Sequence, residues 1–265
     1  MLRRDENMTD ENLIKRLAKE ISNAEKVIAL TGAGISTESG IPDFRGPKGL
    51  WKRYDPEQST YTFFRRDTKR FWELQIQMEE DGFDLSKAKP NPAHLALAKL
   101  EELGYLSCVI TQNVDGLHQK AGNTDVIEFH GNSNRAICIE CKRRYPMSEV
   151  KSRVKSGELP PLCEYCGGIL KPDAVLFEEP IPTEALRRAQ DEAASCSLML
   201  IIGTSSTVHP AAGLPSIAKS YGAAVVEINA EPTPLTGTIS DYIIEGKVGK
   251  TLPKIVEEVE RLERL

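Results

Sequence analysis

Short apolar runs alternate with amphipathic stretches at both ends of the chain, the pattern of strands joined by helical crossovers in a parallel sheet. Val27 to Leu30, Leu106 to Ile110, Val126 to Phe129, Ala174 to Phe177, Leu198 to Ile202, Ala223 to Ile228 and Tyr242 to Ile244 read as seven buried strands. Between them, Leu13, Ile14, Leu17 and Ile21 share one helical face behind a cap at Asp10, and Asn91-Pro92 opens a helix through His94 to Leu103. Thr183 precedes another helix over Glu184 to Ala194, Ala211 to Tyr221 follows a turn, and Leu252, Ile255, Val256, Val259 and Leu262 close the chain at helical spacing. Two stretches break the alternation. Pro47 to Lys89 is polar and aromatic without clear strands, and Asn134 to Gly168 has few apolar runs, so both read as insertions that build a second, smaller lobe.

Composition narrows the class without naming it. The 265 residues are 40% hydrophobic and 28% charged with a net charge of -5, within the ordinary globular range. No apolar run approaches the roughly eighteen residues of a membrane span. Mild acidity removes the simplest electrostatic case for nucleic-acid binding, which needs a basic patch or stripe. The opening residues Met1 to Asn7 lack the apolar stretch of a signal peptide, so a cytoplasmic, reducing compartment is expected.

The cysteines carry the first chemistry. Cys138 and Cys141 form one C-x-x-C and Cys163 and Cys166 another, with 21 residues between the pairs, slightly beyond the usual spacing of about 15 to 20. Four thiolates close a tetrahedron around one structural Zn²⁺, with Gly167-Gly168 suiting the tight turn of a knuckle. All four fall in the insertion with no evident core of its own, where a metal would substitute for burial. Cys108 and Cys196 sit alone in apolar surroundings and read as packed thiols.

The turn after the first strand, Gly32-Ala33-Gly34-Ile35-Ser36-Thr37, starts like a dinucleotide fingerprint but has Thr37 where a third glycine belongs. No second strand with a terminal acidic residue follows about twenty residues on, which argues against a hydride-transferring dehydrogenase. Gly203-Thr204-Ser205 and Asn229-Ala230-Glu231 also follow apolar runs directly, and ligands bind at strand C-termini in open α/β sheets. Three such turns favour a nucleotide. Asn113, Asp115 and His130 lie at or just beyond two further strand ends, positioned to converge over it.

Taken together, Gly-Ala-Gly-Ile-Ser from Gly32, Gly-Ile-Pro-Asp-Phe-Arg from Gly40, Thr-Gln-Asn-Val-Asp from Thr111, His130-Gly131, the two C-x-x-C pairs and Gly203-Thr204-Ser205 resemble the sirtuin family, in order, from about residue 25 to 250. The resemblance implies an α/β fold with a Rossmann-like NAD-binding domain (10–46, 90–133 and 169–265). It also implies a small lobe made of a helical module (47–89) and a zinc-ribbon module (134–168). The implied activity is NAD-dependent deacetylation of protein lysine, in which the acetyl-lysine oxygen attacks the nicotinamide ribose. Nicotinamide, O-acetyl-ADP-ribose and free lysine are released. His130 would be the general base, acting with Asn113 and Asp115. The cofactor would be held by Gly32, Ala33, Gly34, Thr37, Asp43, Phe44, Arg45 and Trp51, by Gln112, Asn113 and Asp115, and on the adenosine side by Gly203, Thr204, Ser205, Asn229, Glu231 and Val248. Val175 and Phe177 would border the acyl-lysine, whose backbone adds as a strand. The partners expected are acetylated-lysine proteins or peptides, chromatin proteins among them, met by a monomer without membrane or direct nucleic-acid contact.

Three departures bear on substrate choice. Relatives that prefer succinyl or malonyl groups carry a Tyr-x-x-Arg pair where this chain has Gln75 and Met78, so neutral acyl groups are expected. The family's Phe-Gly-Glu becomes Phe177-Glu178-Glu179, losing a glycine that eases a turn, and His209 replaces an apolar or Tyr residue on the substrate side. Of the four histidines, His94 and His118 read as structural. Protein ADP-ribosyl transfer, deacylation of longer neutral acyl groups and a non-catalytic zinc-ribbon module remain the alternatives.

Overall fold

The computed structural model describes residues 9–46 and 49–264. The polar opening Met1 to Asn7, the first two positions of the 47–89 stretch and Leu265 lie outside them. In chain order the elements are α1 (Asp10–Asn23), β1 (Val27–Thr31), α2 (Tyr61–Arg66), α3 (Thr68–Glu80), α4 (Pro92–Glu102), β2 (Leu106–Thr111), α5 (Leu117–Ala121), β3 (Val126–Glu128), β4 (Gly131–Cys138), β5 (Arg144–Pro146), α6 (Met147–Lys155), β6 (Leu170–Ala174), α7 (Thr183–Ser195), β7 (Leu198–Ile202), α8 (Leu214–Ser220), β8 (Ala224–Asn229), β9 (Tyr242–Glu245) and α9 (Val248–Glu263).

Six strands form a parallel sheet in the order β3-β2-β1-β7-β8-β9. Both faces are covered, which is why these strands are apolar throughout. Val27 and Ala29 point into a core under α1, α4 and α9, while Ile28 and Leu30 point into a second core under α7 and α8. The chain runs outward from β1 to β3 on one side and returns through β7 on the other. The switch point therefore falls between β1 and β7, where a crevice opens beyond the strand ends.

The small lobe is a three-stranded antiparallel sheet, β5-β4-β6, packed on α2, α3 and α6. Its core joins both insertions: Phe64, Phe71 and Trp72 lie fully buried against Ala136, Val150 and Leu170. The Trp72 indole N–H donates to the Leu170 carbonyl at 3.0 Å. The cysteine segment thus has an apolar core after all, shared with the aromatic helices of the other insertion.

The structure corrects three sequence expectations. Thr9, not Asp10, caps α1, its hydroxyl accepting from the Asn12 N–H. Ala174 to Phe177 is not a strand of the large sheet. Only Ala174 belongs to a strand, the end of β6, and the residues after it bond instead to the His130 and Ser59 carbonyls. The actual strand, Leu170–Ala174, carries Lys171, Pro172 and Asp173 and lies on the edge of the small sheet, where proline is tolerated. Finally, β4 begins at Gly131 and pairs with β6, so the small sheet extends on both sides of the cysteine segment.

Candidate active site

The loops after β1 and β7 meet at the switch point. The Gly34 N–H donates to the Gly203 carbonyl at 2.7 Å. A Cβ on Gly34 would lie 2.7 Å from that oxygen, and one on Gly32 would lie 2.7 Å from the Thr204 Cβ. Close packing of the two loops therefore requires glycine by itself, before any ligand is considered. Thr37 turns back to the Gly34 carbonyl, and the chain continues as a short 3-10 turn, Ala33–Ser39, instead of a long crossover helix. A cleft of about 1790 Å³ opens over these loops. That exceeds the roughly 300–1,000 Å³ of a single small-molecule site and leaves room for two ligands.

Every position expected to hold NAD or acyl-lysine lines this cleft, from Gly32 to Val248. His130, half-buried in the turn just before β4, donates from Nδ1 to the Gln112 carbonyl at 3.0 Å. In the neutral tautomer this leaves Nε2 as the basic nitrogen. Burial lowers the pKa of His130, partly opposed by that backbone bond, so the imidazole is neutral at physiological pH. Asp115 is almost fully buried and accepts from the Leu117 N–H at 2.9 Å and from the Ser36 hydroxyl at 2.7 Å. The Asn113 amide donates to Ser36 Oγ at 3.0 Å and to the Gly32 carbonyl at 3.1 Å, tying the β2 loop to the β1 loop. Gln112 reaches across to Thr204 Oγ1 at 3.0 Å, and Asn229 donates to the Thr204 carbonyl at 3.2 Å.

Ser36 is the residue that sequence reasoning did not single out. It stood inside the quoted Gly-Ala-Gly-Ile-Ser motif, but nothing local told that its hydroxyl joins Asn113 to Asp115. Behind it, His94 accepts from the Asn91 N–H at 3.3 Å and packs against His118 in a tilted arrangement, 5.0 Å between ring centroids. Burial pushes both pKa values down, to about 4 for His94, so these two rings are neutral packed groups under the cleft floor.

On the small-lobe side, Trp51 lies between Phe44 (5.6 Å) and Phe177 (5.7 Å), with the Arg45 guanidinium 4.3 Å over its ring. Val175 donates its N–H to the His130 carbonyl at 2.8 Å, and Phe177 exchanges backbone bonds with Ser59 and Tyr61. The segment bordering the expected acyl-lysine is thus tied to the catalytic candidate's own backbone. Glu178 adopts φ +74°, the left-handed region, and its carboxylate accepts from the Thr62 N–H at the start of α2. Gln75 and Met78 line the same cleft, and Lys151, a cation on α6 that also lines it, pairs with Glu79 at 2.7 Å.

These groups suit a dinucleotide: a buried carboxylate and amides for ribose and carboxamide, an arginine for phosphate, and small residues at two strand ends. The four cysteines suit zinc. The sulfurs of Cys138, Cys141, Cys163 and Cys166 all lie within 4.8 Å of one another, with pairs at 3.5 and 3.6 Å. Bonds of about 2.3 Å imply tetrahedral edges near 3.8 Å. Gly168 passes so close that a Cβ would lie 2.9 Å from Cys138 Sγ. Cys108 and Cys196 are buried elsewhere, and burial raises both thiol pKa values, to about 11 for Cys196, as expected of inert packed groups. Among the described residues no helix is long and apolar enough to cross a membrane.

A model of the Sir2 family matches residues 32–210. The chain is 45% identical to the NAD-dependent protein deacylase 2 of Archaeoglobus fulgidus, over 95% of this chain and 98% of the other. It is 46% identical to the NAD-dependent protein deacetylase of Saccharolobus solfataricus, over 93% and 97%. A solved structure of a Sir2 protein with a p53 peptide and NAD+ superposes with a TM-score of 0.85 at 38% identity, covering 94% of this chain and 99% of that one. By this match, and by a nucleotide cleft at the switch point beside a four-cysteine ribbon, the chain belongs to the Sir2 family.

Proposed function

We propose that the protein is an NAD-dependent protein lysine deacetylase. The observation that carries the reading is His130: its Nδ1 is committed to the Gln112 carbonyl, its Nε2 remains the base, and the ring lines the cleft shared by the strand-end loops and the Val175–Phe177 segment. Bound NAD would supply the ribose carbon that takes up the acetyl oxygen as nicotinamide leaves, and with one water consumed the acetyl C–N bond breaks to give O-acetyl-ADP-ribose and the free lysine amine. His130 removes a proton from a ribose hydroxyl through Nε2, a task suited to a neutral imidazole near pH 7. Asp115, fixed by Ser36 and the Leu117 N–H, and Asn113, fixed by Ser36 and Gly32, orient the nicotinamide half. Gly203, Thr204, Ser205, Asn229, Glu231 and Val248 hold the adenosine half. Phe44, Trp51 and Phe177 form an aromatic wall beside the reacting end.

Gln75 and Met78 offer no cation to an acyl carboxylate, and Glu79 already engages Lys151 and Lys155. Acetyl and other neutral acyl groups are therefore preferred to succinyl. The finer readings belong to the same proposal: a monomer in the cytoplasm acting on basic proteins such as those of chromatin, consistent with a net charge of -5. The test is nicotinamide release from NAD with acetyl, propionyl, butyryl and succinyl peptides. Faster turnover of the succinyl peptide than of the acetyl peptide would refute the acyl preference.

A further inference from the structure

Lys171 is buried in β6, an uncommon place for an ammonium group without a partner. Its Nζ donates to the Pro172 carbonyl at 2.9 Å and the Ala174 carbonyl at 2.6 Å, and lies 3.1 Å from Glu179 Oε2. The same Glu179 oxygen accepts from the Leu176 N–H at 2.8 Å. One ion pair therefore holds three backbone groups along residues 171–179 and closes that stretch into a loop. Inside the loop lie Val175, bonded to the His130 carbonyl, and Phe177, bonded to Ser59 and Tyr61. Burial lowers the Lys171 pKa while Glu179 and Asp173 support its charge. A buried pair of this kind is poor evidence for stability, since apolar residues of similar size do as well. Its geometry instead imposes one conformation on residues 175–179, which follow β6 outside any regular sheet.

We propose that the Lys171–Glu179 pair is a positioning device for the substrate: it holds the Val175–Phe177 segment at the height of His130, and so governs peptide affinity and not NAD affinity. The inference rests on the deacetylase reading, since it takes that segment as the acyl-lysine border. Neither side chain touches the reacting atoms.

The test compares Lys171→Met, Glu179→Gln and the double variant in the full chain with NAD and an acetyl-lysine peptide. Peptide KM should rise at least about tenfold in Lys171→Met, the scale of a slightly misplaced binding segment. KM for NAD and zinc content should stay at the parent's values. Should a single variant fail to fold because one buried charge is left alone, the double variant, which buries none, keeps the test open. It too loses the Nζ bonds to the Pro172 and Ala174 carbonyls, so its peptide KM should remain raised. Parent-like peptide KM in the folded double variant would overturn the proposal, as would peptide and NAD KM rising together, the mark of a merely structural role. Absence of NAD-dependent turnover in the parent would overturn the deacetylase reading and this inference with it, whereas intact parent turnover with unmoved peptide KM overturns the inference alone.

Discussion

The role proposed for His130 rests on two local facts, a backbone acceptor at Gln112 and partial burial, and both act on when the ring is neutral. Its folded pKa lies below the ordinary imidazole value of about 6.5. The base form consequently persists as pH falls, and the acid limb of the kcat/KM profile should lie below pH 6.5. Replacing His130 with Ala should lower deacetylation by about a hundredfold or more with zinc content and thermal unfolding preserved. The same sign governs stability. Below about pH 6.5 the unfolded chain takes up protons that folded His94, His118 and His130 refuse, so stability present above that pH is lost as the medium is acidified. Urea titrations at pH 7.5 and 5.5 measure it. Glu178 offers a second test at this scale. It stands in the left-handed region that favours glycine, and its carboxylate helps cap α2. Glu178→Ala keeps the strained backbone and loses the cap, whereas Glu178→Gly loses the cap but relieves the strain, so the glycine variant should unfold at the higher temperature. The convergence of His130, Asn113 and Asp115 on the cleft was legible from the sequence because each lies at or near a strand end. Ser36 was not, because its partners lie about 80 residues away and only the packed loops bring them together.

Among the elements, the parallel strands were legible because burial on both faces leaves unbroken apolar runs, as in Leu198–Ile202. The small sheet was not. β4 reads Gly-Asn-Ser-Asn-Arg-Ala-Ile-Cys and β6 reads Leu-Lys-Pro-Asp-Ala, and these sequences become strands only when the Phe71 and Trp72 face of α3 and the cysteine cluster supply a core. The ribbon's dependence on metal follows. Cys163→Ser, or treatment with a strong chelator, should remove zinc and raise amide exchange across β4, β5 and β6 while the six-stranded sheet stays protected. Survival of the small sheet without metal would assign its stability to the shared aromatic core alone. The glycine turn behaves differently: the fingerprint reading saw a ligand requirement, whereas the Gly34 contact with Gly203 is a packing requirement of the fold. Gly34→Ala should therefore destabilise the protein without any ligand present, by about 1–3 kcal/mol in thermal or urea unfolding.

At the scale of the molecule, two lobes of different construction frame one cleft: a doubly covered parallel sheet presents strand-end loops, and a metal-clipped antiparallel sheet presents aromatic side chains and an extended segment. In the proposed mechanism both walls are needed, because His130 lies in the turn between β3 and β4, and β4 leads out of one lobe into the other. The central claim is that this cleft couples NAD cleavage to removal of an acetyl group from lysine. Quantitative mass spectrometry of a reaction with NAD and an acetyl-lysine peptide tests it most directly. Equal amounts of nicotinamide, O-acetyl-ADP-ribose and deacetylated peptide are predicted. Nicotinamide released with the acetyl group still on the peptide, or a protein that gains the mass of ADP-ribose, would contradict it.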